Sequence, residues 1–168
     1  MTVKRAATHV LFGIGGGVAN VVYGTVVVLA ALTAAYASEN HPWRLAVVVF
    51  TTSTVLWVAH VYAHELAANL AAQQRLSPDE LIEIAQRESG ILLAAVAPIL
   101  MLLLGAAGVL DETVAIWLAF AVGLLTLAVQ GLRYARIEKL GWLGTLAAIA
   151  VNIALGLAIV ALKVGVAH

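Results

Sequence analysis

Residues 43–66 read WRLAVVVFTTSTVLWVAHVYAHEL, an apolar run with one charged residue near its start and one near its end. A helix rises 1.5 Å per residue, so about 20 apolar residues cross a hydrocarbon core of about 30 Å. Strands of a membrane barrel would be about 10 residues long and would alternate apolar with polar side chains, and this run does not. The stretch therefore predicts a transmembrane helix.

The rest of the chain repeats this pattern. Of 168 residues, 63% are hydrophobic and 11% are charged, and the mean hydropathy is +1.02, whereas soluble domains carry about 25% charged residues. The sequence predicts one all-α transmembrane domain over residues 1–168, a bundle of five transmembrane helices plus one amphipathic helix. The predicted spans are about 14–37, 43–66, 91–110, 113–130 and 141–164, and the amphipathic helix is about 78–88.

Net charge and cysteine content exclude several classes of protein. The formal net charge is zero, so the chain has no basic excess for binding nucleic acid, and the expected partner is the lipid bilayer. There is no cysteine, which excludes disulfides, thiolate metal sites and cysteine nucleophiles.

The sequence between the second and third spans predicts a capped helix. Ser77 is a typical N-cap, Pro78 suits the first helical position, and Glu80 stands three residues after Ser77, as in a capping box. Apolar residues follow on one face and charged ones, such as Glu83, on the other. We expect this helix to lie at the membrane interface or on the second helix, with Gly90 permitting a bend into the third span.

Two further features concern helix packing. Small residues and one Asn recur along the first span: Gly13, Gly15, Gly16, Gly17, Asn20 and Gly24. Such faces mark close contact between helices in lipid, and together with the small size of the chain they predict a homodimer. Pro98 lies inside the third span and predicts a kink, because proline removes a backbone hydrogen bond.

Positively charged residues are distributed unevenly between the two sides of the predicted bundle. One side carries Lys4, Arg5, Arg75, Arg87, Arg133, Arg136 and Lys139, against Arg44 and Lys163 on the other. The excess marks the cytoplasmic side. We therefore expect a multi-pass protein of the cell inner membrane, with its N-terminus in the cytoplasm and its C-terminus outside. We also expect the segment after residue 130, which holds two of these arginines, to be a loop.

His60 and His64 are the candidate ion-binding residues. Residues four apart share one face of a helix, and these two lie about 25–32 Å into the second span, near its cytoplasmic edge. Imidazole binds zinc, copper, iron and nickel, and it also titrates near physiological pH. The pair therefore predicts a site for a divalent metal ion, or a relay for protons.

Two neighbouring polar residues are expected near this pair. Glu65 points about 100° away from His64, and Asn20 is expected about 12 Å into the first span, in the same cytoplasmic half. Both would shape a vestibule around the ion. Two histidines do not complete a metal shell, so further ligands would come from other helices or from a second subunit. The alternative interpretation is that these residues only form hydrogen bonds between helices.

Acidic residues of the amphipathic helix form a candidate cytoplasmic mouth that offers oxygen ligands to cations: Asp79, Glu80, Glu83 and Glu88. We expect Glu80 and Glu83 in particular to gather cations. The alternative interpretation is that the carboxylates complement the helix dipole and keep the helix in water.

This layout resembles the vacuolar iron transporter family, which has five spans, a cytoplasmic N-terminus, an overlong second helix and an acidic insert before the third span. The resemblance implies a homodimer that exchanges divalent metal for protons. By position, Glu80 and Glu83 correspond to the acidic helix of that family, whereas the first span has Asn20 and no acidic residue. The pattern Trp-x-x-His-x-Tyr-x-His at 57–64 is similar to that of small, uncharacterised five-span integral membrane proteins of high-GC bacteria.

Taken together, these features predict a membrane cation transporter or channel for divalent metal or protons, with its site at His60 and His64. The alternative is a non-transporting interaction protein or partner subunit whose polar residues only hold helices together. We do not expect an enzyme, because no nucleophile–base pair and no complete metal shell is visible.

Overall fold

A computed structural model describes residues 17–72 and 77–166, without the side chains of 71, 72 and 162–166. The described residues confirm the all-α class, since they form six helices and no strand. The helices are α1 (Gly17–Tyr36), α2 (Pro42–Ala72), α3 (Pro78–Arg87), α4 (Gly90–Ala106), α5 (Glu112–Ile137) and α6 (Trp142–Val166). Gly13, Gly15 and Gly16 of the predicted small-residue face lie outside the described residues.

Four of these helices are long and apolar enough to cross a membrane: α1, α2 as far as Leu70, α5, and α6 as far as Ala161. The helices α3 and α4 meet the same criteria only as a pair, bent by 48° at their junction, so the number of spans is four or five. The chain is therefore compatible with a multi-pass membrane protein.

The second helix extends well beyond the length of a span. Its 31 residues correspond to about 46 Å at 1.5 Å per residue, against a hydrocarbon core of about 30 Å. Its last turns carry the histidines and then reach toward α3. An excess of this size places the end of α2 beyond the core unless the helix is strongly tilted.

The fifth helix corrects one expectation. Arg133 and Arg136 were expected in a loop, but α5 continues to Ile137 and includes both. Hydropathy falls at Arg133, but the helix continues beyond this residue. Long basic side chains can direct their charge to the interface and keep their stems along the helix. At its other end, α5 is capped by Asp111, whose Oδ1 accepts the backbone N–H of Thr113 at 2.9 Å.

The first helix lies at the centre of the bundle. It packs against α2, α4, α5 and α6, while α2 also packs on α4, α4 on α5, and α5 on α6. The outer four therefore form a curved wall around α1. The core lies where the outer helices contact α1. It includes five fully buried residues: Leu29, Leu32, Leu45, Leu102 and Leu127.

The first helix approaches the start of α4 closely. A Cβ added at Gly24 would lie 2.8 Å from Ile91 Cα and 2.9 Å from its carbonyl oxygen. These are backbone atoms, which cannot turn aside as a side chain can. A small residue on α1 was expected to mark such a contact, and it lets two backbones pack without hydrophobic driving force from water.

The two ends of the bundle are distinct. At one end, the connections 37–41 and 107–111 lie together, since His41 Nδ1 is 3.8 Å from Glu112 Oε2. At the other end lie the start of α1, the end of α2, all of α3 and the start of α4. We call this second end the α3 end, and it holds every candidate site residue.

Replacing Gly24 with alanine tests the α1–α4 contact. We expect Gly24→Ala to destabilise the protein by about 1–3 kcal/mol, as overpacking of a tight contact does, and to lower the melting temperature in detergent. Gly17→Ala in the same helix is the control, because among the described residues no neighbouring atom lies within 4 Å of a Cβ added there. Equal melting temperatures for the two variants would show that the backbones can separate freely.

Candidate functional site

The candidate site is the junction between α3 and α4, where the chain turns by 48°. Side chains from α1 and α2 hold this junction. Trp57 Nε1 donates to the carbonyl oxygen of Ala85 at 3.1 Å, and Asn20 Nδ2 donates to that of Arg87 at 3.0 Å. The last carbonyl groups of a helix have no partner within the helix, so both bonds satisfy groups that the end of α3 leaves open.

Gly90 takes part in this junction in a way that differs from the expectation. The bend is present, but Gly90 is the first residue of α4 and has no positive φ. A Cβ added there would lie 3.0 Å from Asn20 Cβ and 3.3 Å from Val21 N. The glycine therefore serves the close approach of α1, which brings Asn20 within reach of the α3 carbonyl.

Glu88 is the buried acidic residue of the site. It directly follows α3, and only 2% of it is exposed. Its Oε1 lies 3.5 Å from Nδ1 of His64, and its Oε2 is buried without a hydrogen-bond partner among the described residues. Burial of a carboxylate with one distant partner is costly, so such groups are candidates for function.

The two histidines have the same ring orientation. Nδ1 of His60 lies 3.1 Å from the carbonyl oxygen of Leu56, and Nδ1 of His64 lies 3.1 Å from that of His60. A carbonyl oxygen only accepts, so Nδ1 must carry the hydrogen in both rings. In the neutral rings, Nε2 then has the free lone pair that binds a proton or a metal ion.

His60 also contacts the first helix. Its ring centroid lies 5.1 Å from that of Tyr23, at an interplanar angle of 45°. Tyr23 is one helical turn from Asn20, so α1 contacts both the histidine face of α2 and the end of α3. The expectation that Asn20 and the histidines lie in the same part of the bundle agrees with these contacts.

The other sequence-predicted residues have different surroundings. Glu65 is half-buried, and no contact joins it to His60 or His64 in the described ranges. Within residues 17–72 and 77–166, no three His, Cys, Asp or Glu residues lie close enough to hold a metal ion. The carboxylate that contacts the histidine pair is Glu88, through His64.

Glu80 and Glu83 are exposed and have local partners. Glu80 Oε2 accepts the backbone N–H of Ser77 at 2.7 Å and its hydroxyl at 2.9 Å, which completes the capping box. These hydrogen bonds, that of the backbone N–H first, hold the pKa of Glu80 below its usual value of 4.5. Glu83 pairs with Arg87 at 3.1 Å.

The sequence carried one signal for Glu88 that its grouping with the other acidic residues hid. Glu88 follows Leu81 by seven residues, Ile84 by four and Ala85 by three. These spacings place it on the apolar face of α3. An acidic residue on an apolar face is directed toward the protein or the lipid. Exposed carboxylates of the same helix, such as Glu83, fall on the opposite face.

Comparisons with protein-family models, with curated proteins and with solved structures found no match for this chain. Its function is therefore inferred from the site itself.

The capping box gives α3 a pH dependence. A carboxyl whose pKa is lowered by folding stabilises the fold above its unfolded pKa, and this stabilisation is lost as the pH falls through the folded value. In hydrogen exchange, we expect α3 amides to be protected at about pH 6 and to lose that protection toward about pH 3. In Glu80→Ala they should exchange several-fold faster at the higher pH.

Glu83→Ala is the control for this measurement, because Glu83 forms only an exposed pair with Arg87. Its α3 amides should keep the protection of the unmodified protein. If Glu80→Ala does the same, the capping box does not hold the start of α3.

Proposed function

We propose that the protein is a cation transporter or channel of the cell inner membrane, that protons are its first substrate, and that His64 and Glu88 bind them. The observation that supports this proposal is the buried Glu88 carboxylate, whose Oε2 has no partner and whose Oε1 faces His64 at 3.5 Å. A membrane protein keeps such a costly group where an ion or proton uses it.

The two histidines provide a step between solvent and this carboxylate. His64 is exposed and His60 is half-buried one turn deeper in α2. Each ring has Nδ1 directed to a backbone carbonyl, so Nε2 takes up a proton from water, and the Nδ1–H group of His64, which lies 3.5 Å from Glu88 Oε1, passes its proton to that carboxylate. In the proposed path, a proton moves between water, His64 and Glu88, and His60 continues the path along α2 beside Asn20 and Tyr23.

A divalent metal ion is the second substrate of the proposal. Two imidazoles and one carboxylate are ligand types that zinc accepts. Because the described residues of one chain hold no group of three such ligands, the proposal takes the further ligands from a second copy of the chain. The proposed homodimer would supply them, the half-buried Glu65 would shape the vestibule, and the exposed Glu80 and Glu83 carboxylates would concentrate cations at the mouth.

The proposed orientation places the α3 end in the cytoplasm, the N-terminus inside and the C-terminus outside. Arg87, Arg133, Arg136 and Lys139 are found at or near this end, and Arg44 lies at the opposite one. Lys4, Arg5 and Arg75 are outside the described residues. The excess of basic residues at the α3 end supports this orientation by the positive-inside rule.

A specific observation favours the alternative function, that of a non-transporting interaction protein. Trp57 and Asn20 both donate to carbonyl oxygens at the end of α3, which is a role in holding helices. In this alternative, the contact of His64 with Glu88 also serves only to hold α2 against the end of α3. The two functions differ in whether protonation of the pair is coupled to movement of an ion.

Proton flux into liposomes tests the proposal. Purified protein is reconstituted with a pH-sensitive dye inside, and a potassium gradient with valinomycin sets the membrane potential. We expect Glu88→Gln to lower the flux by about tenfold or more, because proton transfer through a positioned side chain contributes at least this much elsewhere. His64→Gln should lower it as well, and Glu88→Asp should keep part of it.

The matched control is the pair at the opposite end, His41 and Glu112, which has the same residue types at 3.8 Å but is exposed. The double variant His41→Gln/Glu112→Gln should keep the full flux. Retention of helicity and of a single elution peak shows that each variant is folded. A protein that carries neither protons nor divalent metal supports the alternative function, and a full flux in Glu88→Gln shows that the proposed site is wrong.

A further inference from the structure

A cavity of about 720 Å³ lies on the side of α1 away from α4, between α1, α5 and α6. Its volume is within the range of small-molecule sites, about 300–1,000 Å³. Valine, alanine, isoleucine and leucine form most of its wall. Four polar side chains complete the lining: Tyr23, Gln130, Tyr134 and Asn152.

Gln130 is the least satisfied polar group of this wall. Only 6% of the residue is exposed, and its Oε1 is buried without a hydrogen-bond partner in the described ranges. A buried acceptor without a partner is unfavourable, and hydrocarbon offers no water to satisfy it. Rotation about the last side-chain torsion, which is broad for an amide, can present either end of the group to the cavity.

Asn152 adds a second acceptor from the facing helix. Its Nδ2 donates to the carbonyl oxygen of Ala148 in its own helix at 2.9 Å. No hydrogen bond to its Oδ1 is found in the described part of the chain. The cavity wall thus includes side-chain amides from α5 and α6 whose oxygens accept no hydrogen bond from the described residues.

The side chains that line the cavity also limit the charge of the molecule that can bind there. None of the side chains that line the cavity is an Asp, Glu, Lys, Arg or His. A charged molecule would lose its hydration here without gaining an ionic partner, which is strongly unfavourable. A neutral molecule with an apolar body and a hydroxyl group matches both the walls and the amide acceptors.

We infer that this cavity binds a neutral, mostly apolar molecule whose hydroxyl group donates to Gln130, and that the molecule enters from the membrane. This inference is independent of the proposed transport, since the cavity contains neither His64 nor Glu88. The only residue shared with that region is Tyr23, which lines the cavity and also contacts the His60 ring.

Photolabelling of the full chain in liposomes tests this inference. The probe is hexadecanol with a diazirine in its chain, and the labelled peptides are mapped by mass spectrometry. We expect saturable labelling of the first half of α1, the second half of α5, and α6. Unlabelled hexadecanol should compete about fivefold better than hexadecane, the effect of about one hydrogen bond.

Three variants separate the contributions. Val22→Trp fills the cavity and should abolish saturable labelling. Gln130→Leu keeps the size and apolar character of the wall, so labelling should persist while the preference for the alcohol over the alkane is lost. Leu125→Trp, on an exposed position of α5 outside the cavity, should change neither result.

Three outcomes would overturn the inference. Labelling that does not saturate, or that persists in Val22→Trp, shows partition of the probe into lipid around the protein. Absence of labelling in the folded full chain shows that the chain itself or a second copy fills the space. Equal competition by the alcohol and the alkane in the unmodified protein excludes the hydroxyl-bearing class of ligand.

Discussion

The contact of α1 with the first turn of α4 brings polar side chains of α1 to the junction of α3 and α4. At Gly24 the two backbones are as close as a missing Cβ allows, with Ile91 Cα within 2.8 Å of where that Cβ would be. One turn earlier, Asn20 donates to the carbonyl oxygen of Arg87 at the end of α3, and Tyr23, directly before Gly24, packs on the ring of His60. In a lipid solvent, association of apolar surfaces supplies little energy, so close packing and hydrogen bonds must hold the helices. This contact provides both.

The position of Glu88 follows from the same contact. Trp57 of α2 and Asn20 of α1 donate hydrogen bonds to the end of α3 from two sides. These bonds fix the backbone there and so restrict the direction of the Glu88 side chain. Glu88 is therefore buried at the junction and faces His64, whereas Glu83 of the same helix is exposed. Burial of an ionisable side chain is unfavourable because it removes water from the group. The hydrogen bonds of Trp57 and Asn20 hold the backbone that keeps Glu88 in this position.

The sequence predicted the fold class well because hydropathy over 20 residues is a local property. It also predicted the capping box of Ser77 and Glu80, whose geometry lies within one turn. It was wrong about the end of α5, because a drop in hydropathy at Arg133 does not end a helix. Glu88 and the cavity beside Gln130 depend on how three or more helices meet. No spacing along the chain contains that information, although the place of Glu88 on an apolar face was a partial signal.

The first helix separates two environments of opposite character. Toward α2 and α3 it faces ionisable groups, His60, His64 and Glu88, and it contributes Asn20 there. Toward α5 and α6 it lines a cavity without charge, where amides and hydroxyls are the only polar groups. Tyr23 reaches both, with 44% of its surface exposed. A molecule bound in the cavity would therefore restrict the ring that packs on His60. Among the described residues, Tyr23 is then the side chain that both a molecule in the cavity and the ring of His60 would contact.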